Sequence, residues 1–135
     1  MADADSAVTD THALLLHIAG GRALGAKAAA HFRAAQDGLS VVYVPMAVLM
    51  EVTLLVRAGR IDLNQTPEAF FRELFLNPAF QAFELSPAQV FAADAWRFNR
   101  DPWDALIVAA AQVLGLPLIT RDTVIAASKS VKVLW

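Results

Sequence analysis

The sequence contains no cysteine. Disulfides, zinc–thiolate sites and cysteine nucleophiles are therefore excluded, and a cytoplasmic protein in a reducing environment is expected. Basic charge is also scarce for a nucleic-acid binder. Eleven Lys and Arg stand against thirteen Asp and Glu, giving a formal net charge of −2, so any contact with a polyanion must come from a local basic strip. Long unbroken apolar runs are missing too, although hydrophobic residues make up 57% of the 135. The run at residues 41–56 is interrupted by Pro45 and carries Glu51, whose carboxylate would cost about 2.5–3.5 kcal/mol at a bilayer centre. The run at residues 105–119 is broken by Gln112, Gly115 and Pro117. Both read as core elements, and no membrane span is expected. Residues 1–10 hold three aspartates and no basic residue, which is not the pattern of a secretory signal. No Ser–His–Asp set, P-loop or glycine-rich dinucleotide turn is present.

What is there is an alternation of short apolar strands and capped helices. Residues 7–9 make a short strand closed by Asp10, and residues 11–20 a helix stopped at Gly20-Gly21. The Ala-rich stretch 23–36 predicts a second helix, the β-branched stretch 40–44 a buried strand, and residues 46–57 the next helix. Thr66-Pro67 and Ser86-Pro87 are N-caps followed by proline at the first helical position. They open helices to about Leu76 and Phe98, with Gln89 placed as in a capping box. Residues 80–85 form a short strand between them. Asp101-Pro102 opens a helix ending at Gly115, followed by a strand at 117–120, a helical turn at 123–127 and a last strand at 131–134. Such alternation, with strands apolar on both sides, predicts a parallel sheet covered by helices on both faces. In such sheets ligands gather beyond the carboxyl ends of the strands.

That rule singles out acidic residues. Asp10 ends the first strand, Asp122 follows the strand at 117–120, and Glu51 and Asp104 lie on helices able to overhang the same edge. Carboxylates converging in one cleft raise each other's pKa, and a hard divalent cation such as Mg²⁺ or Mn²⁺ would relieve the repulsion. Each acid also has a simpler reading. Asp10 and Asp122 can cap the helices that follow them. Asp104 can favour the dipole of a helix capped by Asp101. Glu51 is hardest to explain away, because Ala47, Val48, Leu54 and Leu55 make its helical face apolar, and a buried carboxylate needs a partner or a cleft.

His12, His17 and His31 lack convincing ligand spacing and read as surface or packing histidines. Trp96, Phe98 and Trp103 could stack on bases, although packing suits them better. Arg22, Lys27, Arg33, Arg97, Arg100 and Arg121 are candidate phosphate contacts, Arg121 best placed beside Asp122.

Three segments, residues 9–16 (TDTHALLL), 100–111 (RDPWDALIVAAA) and 116–122 (LPLITRD), resemble the PIN domain of VapC-type toxins. The resemblance runs almost to the final Val-Leu-Trp at 133–135, with Ala105 standing where many such sequences carry Arg. It implies one PIN-like domain over residues 1–135, a three-layer α/β/α sandwich with a central parallel β-sheet. It carries the catalytic and metal-ligating roles onto Asp10, Glu51, Asp104 and Asp122, with Asp101 as helix cap. The implied activity is Mg²⁺- or Mn²⁺-dependent endonucleolytic cleavage of RNA by the toxin of a type II toxin–antitoxin pair. The implied partners are a cognate antitoxin and a second copy of the chain. Two alternatives remain: a PIN-like interaction module without useful catalysis, and another Mg²⁺-dependent phosphotransfer domain. A receiver domain would need a second acid beside Asp10, and a haloacid-dehalogenase-type site would need an acid where His12 stands.

Overall fold

The computed structural model describes residues 6–96 and 101–135. Ala7–Thr9, fully buried, forms β1 and leads directly into α1 (Thr11–Ile18). After α2 (Ala26–Gln36) come β2 (Val42–Pro45), α3 (Met46–Arg57), α4 (Pro67–Leu74) and β3 (Phe80–Phe83). The second half runs α5 (Pro87–Ala93), α6 (Pro102–Leu114), β4 (Leu118–Ile119), α7 (Thr123–Ser128) and β5 (Val133–Leu134). The five strands are all parallel, in the order β3-β2-β1-β4-β5. This is the α/β architecture expected, with helices layered about a parallel sheet.

The strand order matters more than the strand count. From β1 the chain steps outward to β2 and β3, then returns across the sheet to β4 and β5 on the other side of β1. The direction of winding therefore reverses between β1 and β4, and connections leave these neighbours toward opposite sides. A crevice at their carboxyl ends follows from that topology. In register, Val8 faces Leu118 and Thr9 faces Ile119, so Asp10 comes level with Thr120.

The core explains the rest. Val8, Leu14, Val48, Ile107, Val108, Leu118 and Ile119 are fully buried. Along α6, Ala105, Ala109, Ala110 and Ala111 are buried as well, and these small side chains let the helix lie close to β1 and β2 and against α3 and α5.

Element boundaries shift where backbone chemistry intervenes. α2 starts at Ala26, not at residue 23. Gly25 precedes it in extended conformation, and a Cβ there would lie 2.4 Å from the carbonyl carbon of Trp135. The backbone N–H of Lys27 donates to that carbonyl at 3.0 Å. Ser86 caps α5, accepting from the Gln89 N–H, but the reciprocal half of a capping box is absent: Gln89 Nε2 donates to the Glu84 carbonyl at 2.6 Å. α5 ends at Ala93, short of the expected Phe98, which lies outside the described residues. β4 is two residues long because Pro117 has no N–H, although its carbonyl still accepts from Val8. β5 begins after the exposed Lys132. Among the described residues no helix is long and apolar enough to cross a membrane.

Candidate active site

Asp10 leaves β1 with extended backbone (φ −85°, ψ 177°) and caps α1, its Oδ1 accepting the Ala13 N–H at 2.8 Å. It is only 9% exposed. Burial pushes its carboxyl up from the ordinary range, against the hydrogen bonds from Thr120 and Ala13 and the neighbouring His12, while Asp122 pushes it up further. Asp122 caps α7, accepting from Val124 and Ile125 at 2.8 and 3.1 Å. Its own N–H donates to Thr120 Oγ1 at 3.1 Å. The buried Thr120 hydroxyl thus bridges the acids that close β1 and β4.

Glu51 lies in the second turn of α3 and is half-buried. Its Oε1 accepts the hydroxyl of Thr11 at 2.5 Å. Burial raises its pKa and Thr11 opposes that. Asp101 raises it, His12 opposes, and Asp10 raises it again.

Asp104 occupies the first turn of α6, one place after Trp103, the residue that Asp101 caps most directly. Asp101 Oδ1 accepts from Trp103 at 2.9 Å and from Asp104 at 3.3 Å. The Asp104 carboxyl is pushed up to about 7, first by burial, then by Asp101, Glu51, Asp122 and Asp10. A helix N-terminus alone would move it the other way, so desolvation and like-charge repulsion prevail. Asp104 therefore feels all three other acids singled out in the sequence, plus Asp101, whose charge belongs to the site even though its geometry is that of a cap.

The donor chemistry suits a hard divalent cation, because each added negative charge here is resisted and carboxylate oxygens predominate. Even so, among the described residues no three acidic or histidine side chains stand close enough to hold an ion between them. Asp10 and Asp122 each commit one oxygen to a helix cap. A Mg²⁺ ion that keeps several waters needs only one or two direct carboxylates, and the set fits that mode of binding.

Thr11 and Thr120 are the site residues that sequence reasoning passed over; His12, read there as a surface or packing histidine, is exposed, and its charge acts on Asp10 and Glu51. All three lie in the segments quoted above, yet a hydrogen bond spanning forty residues leaves no local signal. His17 does pack: it stacks on Phe32 at 4.4 Å, and burial lowers its pKa. His31 stays within α2, its Nδ1 donating to the Lys27 carbonyl at 3.0 Å. Trp96 and Trp103 pack against the core, with Trp96 Nε1 donating to Gln112 at 3.2 Å. Arg22, Lys27, Arg33 and Arg121 are exposed. Arg97 and Arg100 lie outside the described residues.

A family model described as the PIN domain matches residues 7–129. No curated protein sequence matches the chain. Among solved structures, the chain is similar to VapBC2 from Rickettsia felis bound to a DNA fragment from its promoter, with 13% identity and a TM-score of 0.67 over 95% of this chain and 96% of that one. It is also similar to a toxin–antitoxin complex from Klebsiella pneumoniae, at 23% identity, a TM-score of 0.56 and 87% of each chain. FitAcB from Neisseria gonorrhoeae gives 18% identity and a TM-score of 0.59 over 93% of this chain and 94% of that one. At such identities the likeness is one of fold.

Proposed function

This chain belongs to the PIN domain family, and from that premise we propose that it is a metal-dependent endoribonuclease, the toxin of a type II toxin–antitoxin pair. One observation carries the proposal. Asp104 is pushed up to about 7 by its burial and by the charges of Asp101, Glu51, Asp122 and Asp10, at the crevice where winding of the sheet reverses. A cluster of like charges costs stability and persists where a counter-charge is meant to come.

Asp10, Glu51, Asp104 and Asp122 would hold Mg²⁺ or Mn²⁺. When bound, such an ion polarises a phosphodiester and makes its coordinated water a nucleophile near neutral pH. The chain's own residues orient and exclude. Thr120 and the α1 N-terminus fix Asp10, the α7 N-terminus fixes Asp122, and Thr11 fixes Glu51. The burial of Asp10 limits water around it. Arg121, exposed beside Asp122, is the phosphate contact we assign.

The solved structures to which the fold is similar include complexes of toxins with antitoxins, which supports an antitoxin as partner. Exposed apolar side chains, among them Phe91 at 76% and Leu76 at 79%, support association with that partner and with a second copy. We place the protein in the cytoplasm, as a single domain over residues 1–135.

The test is cleavage of a structured RNA with Mg²⁺ or Mn²⁺, with and without EDTA, by the wild type and by Asp104→Asn. Cleavage that needs the ion, and falls together with Mn²⁺ affinity in Asp104→Asn, is the expected result. Wild-type cleavage that ignores EDTA, or full activity in Asp104→Asn, would end the reading. The lack of a preassembled three-residue ligand cluster among the described residues favours one second reading, an interaction module without catalysis. A wild type that binds no Mn²⁺ and cleaves nothing would support it.

A further inference from the structure

The hydroxyl of Thr11 does something unusual for its position. Threonine near a helix start ordinarily bonds locally, capping its own helix or reaching a nearby carbonyl. Here the cap is Asp10, which takes the Ala13 N–H. Thr11 is 1% exposed, and its hydroxyl instead donates to Glu51 Oε1 at 2.5 Å, forty residues along the chain and on another helix. Hydroxyl-to-carboxylate bonds are charge-assisted and about twice as strong as neutral ones. The hydroxyl thus grips one oxygen of a long, otherwise adaptable Glu side chain.

We propose that Thr11 is a positioning residue for the acidic site, holding Glu51 through Oε1 so that Oε2 is the oxygen offered to a divalent cation. The inference rests on the metal-dependent reading above. Without the Thr11 hydroxyl, Glu51 must be ordered by the ion itself, and part of the binding free energy goes into that ordering. Outer partners of metal-binding carboxylates typically control affinity by about 10–100-fold. A merely structural hydroxyl would change the melting temperature and leave the affinity of the folded protein alone.

The experiment is Mn²⁺ titration of the full chain, followed by loss of the electron-paramagnetic-resonance signal of free Mn²⁺, for wild type, Thr11→Val, Thr11→Ser, Glu51→Gln and the Thr11→Val/Glu51→Gln pair. Circular dichroism checks that each is folded. Thr11→Val, which keeps the shape and loses the hydroxyl, is expected to bind about tenfold more weakly or worse. Thr11→Ser is expected to keep wild-type affinity, and Thr11→Val to add no loss once Glu51 is Gln. Wild-type affinity in folded Thr11→Val, weakened binding in Thr11→Ser, or a full further loss in the pair overturns the inference. If Thr11→Val does not fold, Thr11→Ala takes its place: weakened affinity in the folded protein, with Thr11→Ser at wild-type affinity, supports the hydroxyl's role, and wild-type affinity in Thr11→Ala overturns it. A wild type that binds no Mn²⁺ overturns the metal-site reading and this inference together, whereas a wild type that binds, beside an indifferent Thr11→Val, overturns the inference alone.

Discussion

Asp101 and Asp104 stand three residues apart in one helical turn and do different work. Asp101 accepts two backbone N–H groups through Oδ1, and asparagine caps nearly as well as aspartate. Asp101→Asn should therefore lose no more than the dipole contribution of about 0.3–1 kcal/mol, measured by urea unfolding. Asp104 is opposite in character. The folded chain holds its proton up to about 7, whereas the ordinary value is 3.8, so between those limits the native state binds more protons than the unfolded chain. Stability must then fall as pH rises through that window. Burial raises Asp10 and Glu51 in the same direction. The metal-free protein is expected to melt lower at pH 8 than at pH 5, and Asp104→Asn should flatten that slope and raise the melting temperature at pH 8. Divalent cation should flatten it too. A melting temperature that climbs from pH 5 to pH 8 would show that the acids are not electrostatically coupled as described. Only part of this was legible in the residues alone. The pattern Asp-Pro-Trp-Asp told cap from first-turn acid, but which acid is buried depends on what α3, β1 and β4 bring beside it.

Helices and strands were the more legible level, because their signals are local. Proline after Thr66, Ser86 and Asp101 marks α4, α5 and α6, and each of the three preceding side chains accepts a backbone N–H at the helix start. Gly115 ends α6 in the left-handed conformation, φ 68°. The misjudged start of α2 has a non-local cause, since Gly25 is required by its approach to Trp135, 110 residues away. Two substitutions separate the two kinds of control. Thr66→Ala removes a cap and should cost about 1 kcal/mol. Gly25→Ala drives a Cβ into the Trp135 backbone, and overpacking of this kind typically costs about 1–3 kcal/mol. Comparing the two by denaturant unfolding tests the claim; a Gly25→Ala chain as stable as wild type would mean that the C-terminal strand does not anchor α2.

At the scale of the molecule, exposed apolar side chains such as Leu76, Phe91 and Leu39 are what a partner would cover. Sedimentation at high micromolar concentration is expected to give a dimer, and a clean monomer there would count against self-association. The sheet order supplies the remaining logic. Local patterning determined that this chain would alternate strands with helices, that its strands would be parallel and buried, and that acids would follow two of them. Caps, prolines and β-branched runs act within a few residues, so they can be read along a line. The return of the chain from β3 to β4 cannot be read that way, nor can the register that sets Asp10 level with Thr120. Only the folded sheet decides that winding reverses between β1 and β4, because strand order is set by contacts between distant segments. It is there that Thr11 meets Glu51 and that Asp104 feels the charges of Asp10, Glu51 and Asp122, brought from distant parts of the chain. The identity of the acids belongs to the sequence; their repulsion, and whatever cation answers it, belongs to the tertiary structure, since electrostatic energy depends on distance in space and on burial.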